Sequence, residues 1–224
     1  MLIGVPSKSP LSVYAWDVSC PTRARRVREA VFPHAAHRQL SVAEVRLPAV
    51  AVIDLFAELS LLVDLAEDRL ALWRPRAGLR LAVLAGGGVM ASTPGAHQLL
   101  DAAGLRRVLA GAGNVLISYD VSDPVAARQL HAGVAAGGAM VQRSVYHWRA
   151  AAAAVVALIT EAGGWLAAGD RLWIHPLAAA RDLWRAGAEA SSLLPVATHH
   201  WADSATTTFI EQGDCEHGHD GLDG

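Results

Sequence analysis

The sequence predicts an α+β chain built as two tandem copies of one small domain. Three observations lead there. Residues 12–60 match residues 115–163 without a gap at a constant shift of 103, with 17 identities in 49 positions. The identities include whole motifs, Asp-Val-Ser-x-Pro at Asp17 and Asp120 and Gln-x-Ser-Val at Gln39 and Gln142, which marks a duplication. Short apolar runs also alternate with amphipathic ones inside each copy, the pattern of mixed strands and helices.

In the first copy, Leu11 to Trp16 is a strand ending on Asp17. Thr22 to Val31 is a helix that begins just after Pro21, a favoured first-turn residue, and carries Arg23, Arg25, Arg26 and Arg28. Arg38 to Arg46 is extended, with Ser41 in mid-strand. Pro48 opens a second helix to about Leu65, with Val52, Leu55, Phe56, Leu59 and Leu62 at core spacing. Asp68 to Trp73 closes the copy. The second copy repeats this as Val115–Tyr119, Val125–Ala135, Ala139–Tyr146 with Ser144 in mid-strand, Ala150–Ala162 and Asp170–His175. Between the copies, Leu79–Ala85 reads as an extra strand stopped by Gly86-Gly87-Gly88. No Lys-Ser or Lys-Thr follows those glycines, so they read as a turn and not a phosphate loop. A helix from about Pro94 to Leu109 connects the copies. A helix at Ala178–Glu189 and a strand at Leu193–Ala197 follow the second copy.

Strand, helix, strand region, helix, strand is the plan of an antiparallel sheet with two helices on one face, the ferredoxin-like (βαββαβ) arrangement. Such a sheet leaves its other face open, and two copies bury those faces sheet to sheet, as an intramolecular pseudo-dimer. The expected domains are residues 10–89 and 114–200, joined by a linker at 90–113 and followed by a flexible acidic tail at 201–224.

Apolar residues make up 53% of the 224, enough for real cores. The formal charge of −2 hides an asymmetry. Asp203, Glu211, Asp214, Glu216, Asp220 and Asp223 lie in the tail; setting aside these six of the 21 acidic groups leaves 15 against 19 basic ones. All the basic residues except Lys8 are Arg, the side chain suited to bidentate phosphate contacts. A tethered polyanion of this kind competes with DNA for a basic face. Cys215, His217 and His219 form a loose cluster in the tail and are read as incidental. Two cysteines, Cys20 and Cys215, make no disulfide framework and fit a reducing compartment. The N-terminus lacks the apolar core of a signal peptide, and Ala150–Ile159 is too short to span a bilayer, so the expected location is cytoplasmic.

The second copy resembles the CRISPR-associated adaptation protein Cas-two. The likeness rests on three motifs in order: Tyr119-Asp120-Val121-Ser122-Asp123-Pro124, Val141-Gln142-Arg143-Ser144-Val145-Tyr146, and Asp170 to Leu177. The first copy departs from it at Trp16, Cys20, Leu40 and Ala43. That family is usually a homodimer of one such domain, so the resemblance implies a chain carrying both halves. It also implies that residues 79–85 and 193–197 act as crossing strands, each pairing with the other half's sheet.

The resemblance makes Asp17 and Asp120 the candidate catalytic and metal-ligating residues, meeting near the axis between halves. Two carboxylates at one seam suit Mg²⁺, which prefers carboxylate oxygens and waters, and a hydrated Mg²⁺ can assist phosphodiester hydrolysis. The structural reading is that each Asp caps the helix after it. Arg23, Arg25, Arg26, Arg28, Arg128, Arg143 and Arg149 are candidate DNA contacts, stronger on the first half. Ser41 and Ser144 read as buried hydrogen-bonding groups, because no His-Asp pair recurs with them. Two functions follow. One is a scaffold for CRISPR adaptation that binds double-stranded prespacer DNA and bridges Cas-one-type integrase subunits. The other is a metal-dependent endonuclease acting on RNA or DNA, including toxin-type ribonucleases of the same fold. Scattered arginines with no recurring acid–base pair favour the scaffold.

Overall fold

The computed structural model describes residues 9–177 and 183–187. The protein is α+β: twelve strands form two antiparallel sheets, with five α-helices among the described residues. The first half runs β1 (Leu11–Asp17), α1 (Pro21–Val31), β2 (Ala35–Arg38), β3 (Val42–Arg46), α2 (Ala49–Leu62) and β4 (Arg69–Trp73). The second half runs β8 (Asn114–Asp120), α4 (Pro124–Gly137), β9 (Gly138–Gln142), β10 (Val145–Trp148), α5 (Ala152–Gly163) and β11 (Arg171–Leu177). Between them lie β5 (Arg80–Val83), β6 (Val89–Thr93), β7 (Ala96–Leu100) and α3 (Ala102–Leu109). β12 (Leu183–Gly187) comes last.

Strand alternation explains the layering. Successive side chains on a strand point to opposite faces. On β1, Tyr14 and Trp16 join a core under α1 and α2, while Val13 and Ala15 face the other way. On β8, Val115, Ile117 and Tyr119 pack under α4 and α5, while Leu116 joins Val13 and Ala15. The third core therefore lies between the two sheets, built from Val13, Ala15, Val42, Ala71 and Trp73 on one side and Leu116, Val141, Val145 and Leu177 on the other. Helices cover the two outer faces.

The two sheets are also laced by crossing strands. β5 leaves the first half and pairs with β11 of the second, Ala82 opposite Trp173. β12 leaves the second half and pairs with β4 of the first, Ala186 opposite Leu70. The sheet orders are β12-β4-β1-β3-β2 and β7-β6-β5-β11-β8-β10-β9.

Four expectations are corrected. The extended stretches at 38–46 and 139–146 are hairpins, and Ser41 and Ser144 sit in their turns, Ser144 with φ 61°. The connecting helix from Pro94 does not form over its first two turns. Pro94-Gly95 instead makes the tight turn of the β6–β7 hairpin, Gly95 having φ 88°. The helix begins only at Ala102, where the Asp101 carboxylate accepts from the Gly104 N–H at 2.6 Å. The helix expected at Ala178–Glu189 is replaced by β12, because the open edge of β4 offers backbone partners that outweigh local helical preference. The strand expected at 193–197 and the tail at 201–224 lie outside the described residues.

Two glycine clusters have packing reasons. A Cβ on Gly138 would run into the Trp148 ring, which lies against the strand with its Nε1–H donating to the Val134 carbonyl at 2.7 Å. The triple-glycine turn meets the end of α5 backbone to backbone, Gly86 N–H donating to the Gly163 carbonyl at 3.0 Å. A Cβ on Gly163 would strike Gly87.

Candidate functional site

The two strand-end carboxylates are set up by a repeated device. After each first strand, the chain turns on a serine whose backbone N–H is caught by an acidic residue from the loop before the closing strand. Ser19 N–H donates to Asp68 at 2.9 Å, and Ser122 N–H donates to Asp170 at 2.9 Å. Each serine hydroxyl donates to the same carboxylate, at 3.1 and 2.8 Å. Asp68 also accepts from the Asp64 N–H and from Arg23 Nε at 2.8 Å; Asp170 also accepts from the Ala167 N–H. Burial pushes the Asp68 carboxyl up, but its donors together outweigh burial and hold it below the usual range. Backbone donors from Ser122 and Ala167 hold Asp170 low.

This division of labour frees Asp17 and Asp120 from the capping role. α1 has Cys20 at its N-cap with no side-chain cap, and α4 is capped by Asp123, which accepts from Val125 and Ala126. Asp120 is exposed, 4.0 Å from Arg171 Nη1 across the β8–β11 pair. The Asp17 side chain makes no hydrogen bond or ion pair among the described residues, and it lines a cavity of about 590 Å³.

That cavity is built by both halves. Asp17 comes from the end of β1; Tyr119, Ala127, Arg128, His131, Met140, Arg143 and Ser144 come from β8, α4 and the β9–β10 hairpin. Gln142 ties the hairpin over β1: its Nε2 donates to the Ala15 carbonyl at 2.8 Å and the Arg69 carbonyl at 3.3 Å. Tyr119 N–H donates to the Ser144 carbonyl at 3.1 Å and fixes the turn from the other side. The hydroxyls of Tyr146 and Tyr119 both meet His131 Nδ1, at 2.8 and 3.2 Å. Burial pushes the Tyr119 hydroxyl up to about 12 and raises that of Tyr146, so both stay protonated at neutral pH.

Asp120 is not among the residues lining this cavity, so one carboxylate faces it where a symmetric pair was expected. Among the described residues no group of three or more His, Cys, Asp or Glu side chains converges as a metal site. Asp17 and Asp120 each offer carboxylate oxygens of the kind Mg²⁺ takes, but nothing in the geometry brings further acidic ligands to either.

The arginines divide four ways. Arg23 is held in the first half's turn by Asp68 and by Glu67 at 3.1 Å. Arg25 and Arg28 line a surface groove of about 500 Å³ with Glu29, Phe32, Pro33 and Arg38, where Arg38 stacks 4.8 Å over the Phe32 ring. Arg26 and Arg149 are exposed. Arg128 and Arg143 line the cavity that Asp17 faces.

Sequence reasoning missed His131 and Arg38. His131 does not recur in the repeat, since Arg28 is its counterpart at the 103-residue shift. Sequence reasoning also missed the buried triad between the sheets. Glu44 accepts from Arg80 Nη1 at 3.0 Å and pairs with His175 Nε2 at 2.8 Å, with all three side chains nearly or wholly buried. Burial pushes the Glu44 carboxyl up, yet the His175 hydrogen bond and the His175, Arg80 and His37 charges together hold it below the usual range.

No helix among the described residues is long and apolar enough to cross a membrane. No family model matches the chain, and no curated protein matches it. Among solved structures, a hypothetical protein from Thermus thermophilus is similar at 30% identity over 32% of this chain and 85% of its own, with a TM-score of 0.29. That likeness carries no functional argument.

Proposed function

We propose that the chain is an intramolecular pseudo-dimer of two ferredoxin-like domains that serves as a scaffold in CRISPR adaptation. In this reading it binds double-stranded prespacer DNA through its arginines and bridges integrase subunits. The observation that carries the reading is the pairing of the motif resemblance with reciprocal strand exchange. β5 and β12 each complete the other half's sheet, which suits a rigid body that holds a fixed length of duplex. The groove with Arg25, Arg28 and Arg38, beside exposed Arg26, supplies phosphate contacts on the first half. Phosphate contacts position a duplex without reading its sequence.

Fluorescence anisotropy on a labelled duplex across a salt series tests this. Each phosphate contact contributes about 0.9 to the slope of log K against log salt. Changing Arg25, Arg26 and Arg28 together to Ala should lower the slope by roughly 2 to 3. Absence of duplex binding at about 50 mM salt overturns the reading.

The endonuclease reading is favoured by one observation, the placing of Asp17, His131, Arg128 and Arg143 around one cavity. In that reading Asp17 would hold Mg²⁺ and the arginines would take the phosphate. Changing Asp17 and Asp120 together to Ala separates the two. Loss of spacer acquisition with duplex binding intact favours chemistry; retention of both favours the scaffold.

A further inference from the structure

The cavity at the seam has a donor set that the scaffold reading does not use. Arg128 and His131 are three residues apart on α4, so they share a helix face. Arg143 reaches the same cavity from the β9–β10 turn, which Gln142 pins over β1. Neither arginine forms an ion pair among the described residues. The His131 ring is oriented from one side only, since both tyrosine hydroxyls meet it at Nδ1. A hydroxyl that donates to Nδ1 leaves the ring proton on Nε2, so the histidine offers the cavity a donor. Asp17, an acceptor, lines the same cavity from the end of β1.

We infer that this cavity is a single binding site for a phosphate monoester, specifically the terminal phosphate of a nucleic-acid strand. Arg128, Arg143 and His131 take the phosphate oxygens, and Asp17 accepts from a hydroxyl or amine of the terminal nucleoside. The donor count favours the monoester: two guanidiniums and an imidazole can meet the three non-bridging oxygens of a terminal phosphate, where a diester offers only two. The pocket, about 590 Å³, is open to solvent, so a flexible strand end can reach it. The site occurs once. At the 103-residue shift, Arg25 keeps the place of Arg128, but Arg28, Leu40 and Trp16 stand where the second half has His131, Arg143 and Tyr119. This inference does not rest on the scaffold reading.

The test uses the full chain and two single-stranded oligonucleotides of one sequence, one ending in a 5′-phosphate and one in a 5′-hydroxyl. The phosphorylated strand should bind about tenfold more tightly, the effect of one or two charge-assisted hydrogen bonds. The variants His131→Gln, and Arg128→Ala with Arg143→Ala, alter exposed side chains and should bring the two strands to equal affinity. Inorganic phosphate alone should shift the ring resonances of His131 in a carbon–proton NMR spectrum more than those of exposed His34. Equal affinity for the two strands with an unmoved His131 overturns the inference, whatever the duplex result. A preference for the phosphorylated strand that survives all three substitutions also overturns it, by placing the phosphate elsewhere. A protein that fails to bind duplex yet discriminates the two strands would sink the scaffold and leave this site standing.

Discussion

The two halves share one backbone plan and differ wherever that plan meets its partner. At equivalent places between the sheets, the first half has Glu44 and Trp73 where the second has His147 and His175. A homodimer must present the same residue twice across its axis, which would set two buried glutamates or two buried histidines in equivalent places. A fused pair escapes that constraint. Glu44 meets His175 and Arg80, and one buried acid is neutralised by two bases from elsewhere in the chain. Duplication within one chain therefore permits a charged, asymmetric seam.

The comparison breaks most visibly at that seam. Glu44→Ala leaves Arg80 and His175 buried without their partner, and should cost about 3–5 kcal/mol in urea unfolding. The equivalent His147→Ala should cost less, since His147 stands outside the Glu44–Arg80–His175 cluster. Equal losses would show that the seam is symmetric in energy despite its sequence.

A second contrast lies in the outer layers. Gly138 and Trp148 in the second half correspond to Ala35 and Val45 in the first. Trp148 fills the space that a Cβ on Gly138 would need. Gly138→Ala should therefore destabilise by about 3 kcal/mol through overpacking, whereas Ala35→Gly should cost only about 0.5–1 kcal/mol in strand entropy. Thermal unfolding of the two single variants reads the difference directly.

Much of this was legible in the sequence, and the failures have physical causes. The α+β class and the two antiparallel sheets match expectation, and Asp17 and Asp120 end β1 and β8 as expected. The crossing of β5 to β11 also matches expectation. The β6–β7 hairpin is not legible because Met90 to Leu100 is short and mixed in pattern, and Pro94 reads equally as a helix start or as the turn it forms with Gly95. β12 was misread because its partner, β4, lies more than a hundred residues earlier, where local propensity carries no information. The cavity was legible only in part. Asp17, Arg128 and Arg143 were named from motifs, but His131 is drawn in by tertiary contact alone.

The turn carboxylates give a third contrast, in pH. Both Asp68 and Asp170 are held below their ordinary value in the folded chain. A depressed carboxylate contributes stability that is fully present above its unfolded value, about 4, and is lost as pH falls through the folded one. Asp68 is fully buried and holds a guanidinium, while Asp170 is partly exposed and holds none. Asp68→Asn should cost about 2 kcal/mol at neutral pH and flatten the acid limb of the stability profile. Asp170→Asn should do the same more weakly. A larger effect at Asp170 would mean that the exposed turn, and not the buried one, organises its half.

The smallest expected effect concerns Arg23. By sequence it belongs with Arg25, Arg26 and Arg28 on one cationic helix. In the fold its guanidinium is spent on Asp68 and Glu67, and only 19% of the side chain is exposed. Its charge is neutralised locally, so it has little left to release counterions from a duplex. Arg23→Ala should leave the salt slope of DNA binding within about 0.3 of the parent, while lowering stability through Asp68. Arg26→Ala should do the reverse, lowering the slope by about 0.9 with stability unchanged. Measuring both quantities on both variants matters, because a destabilised protein can lose DNA for want of folded molecules. If Arg23→Ala lowers the slope as far as Arg26→Ala does, the ion pair with Asp68 opens when DNA binds, and the turn is part of the DNA surface after all.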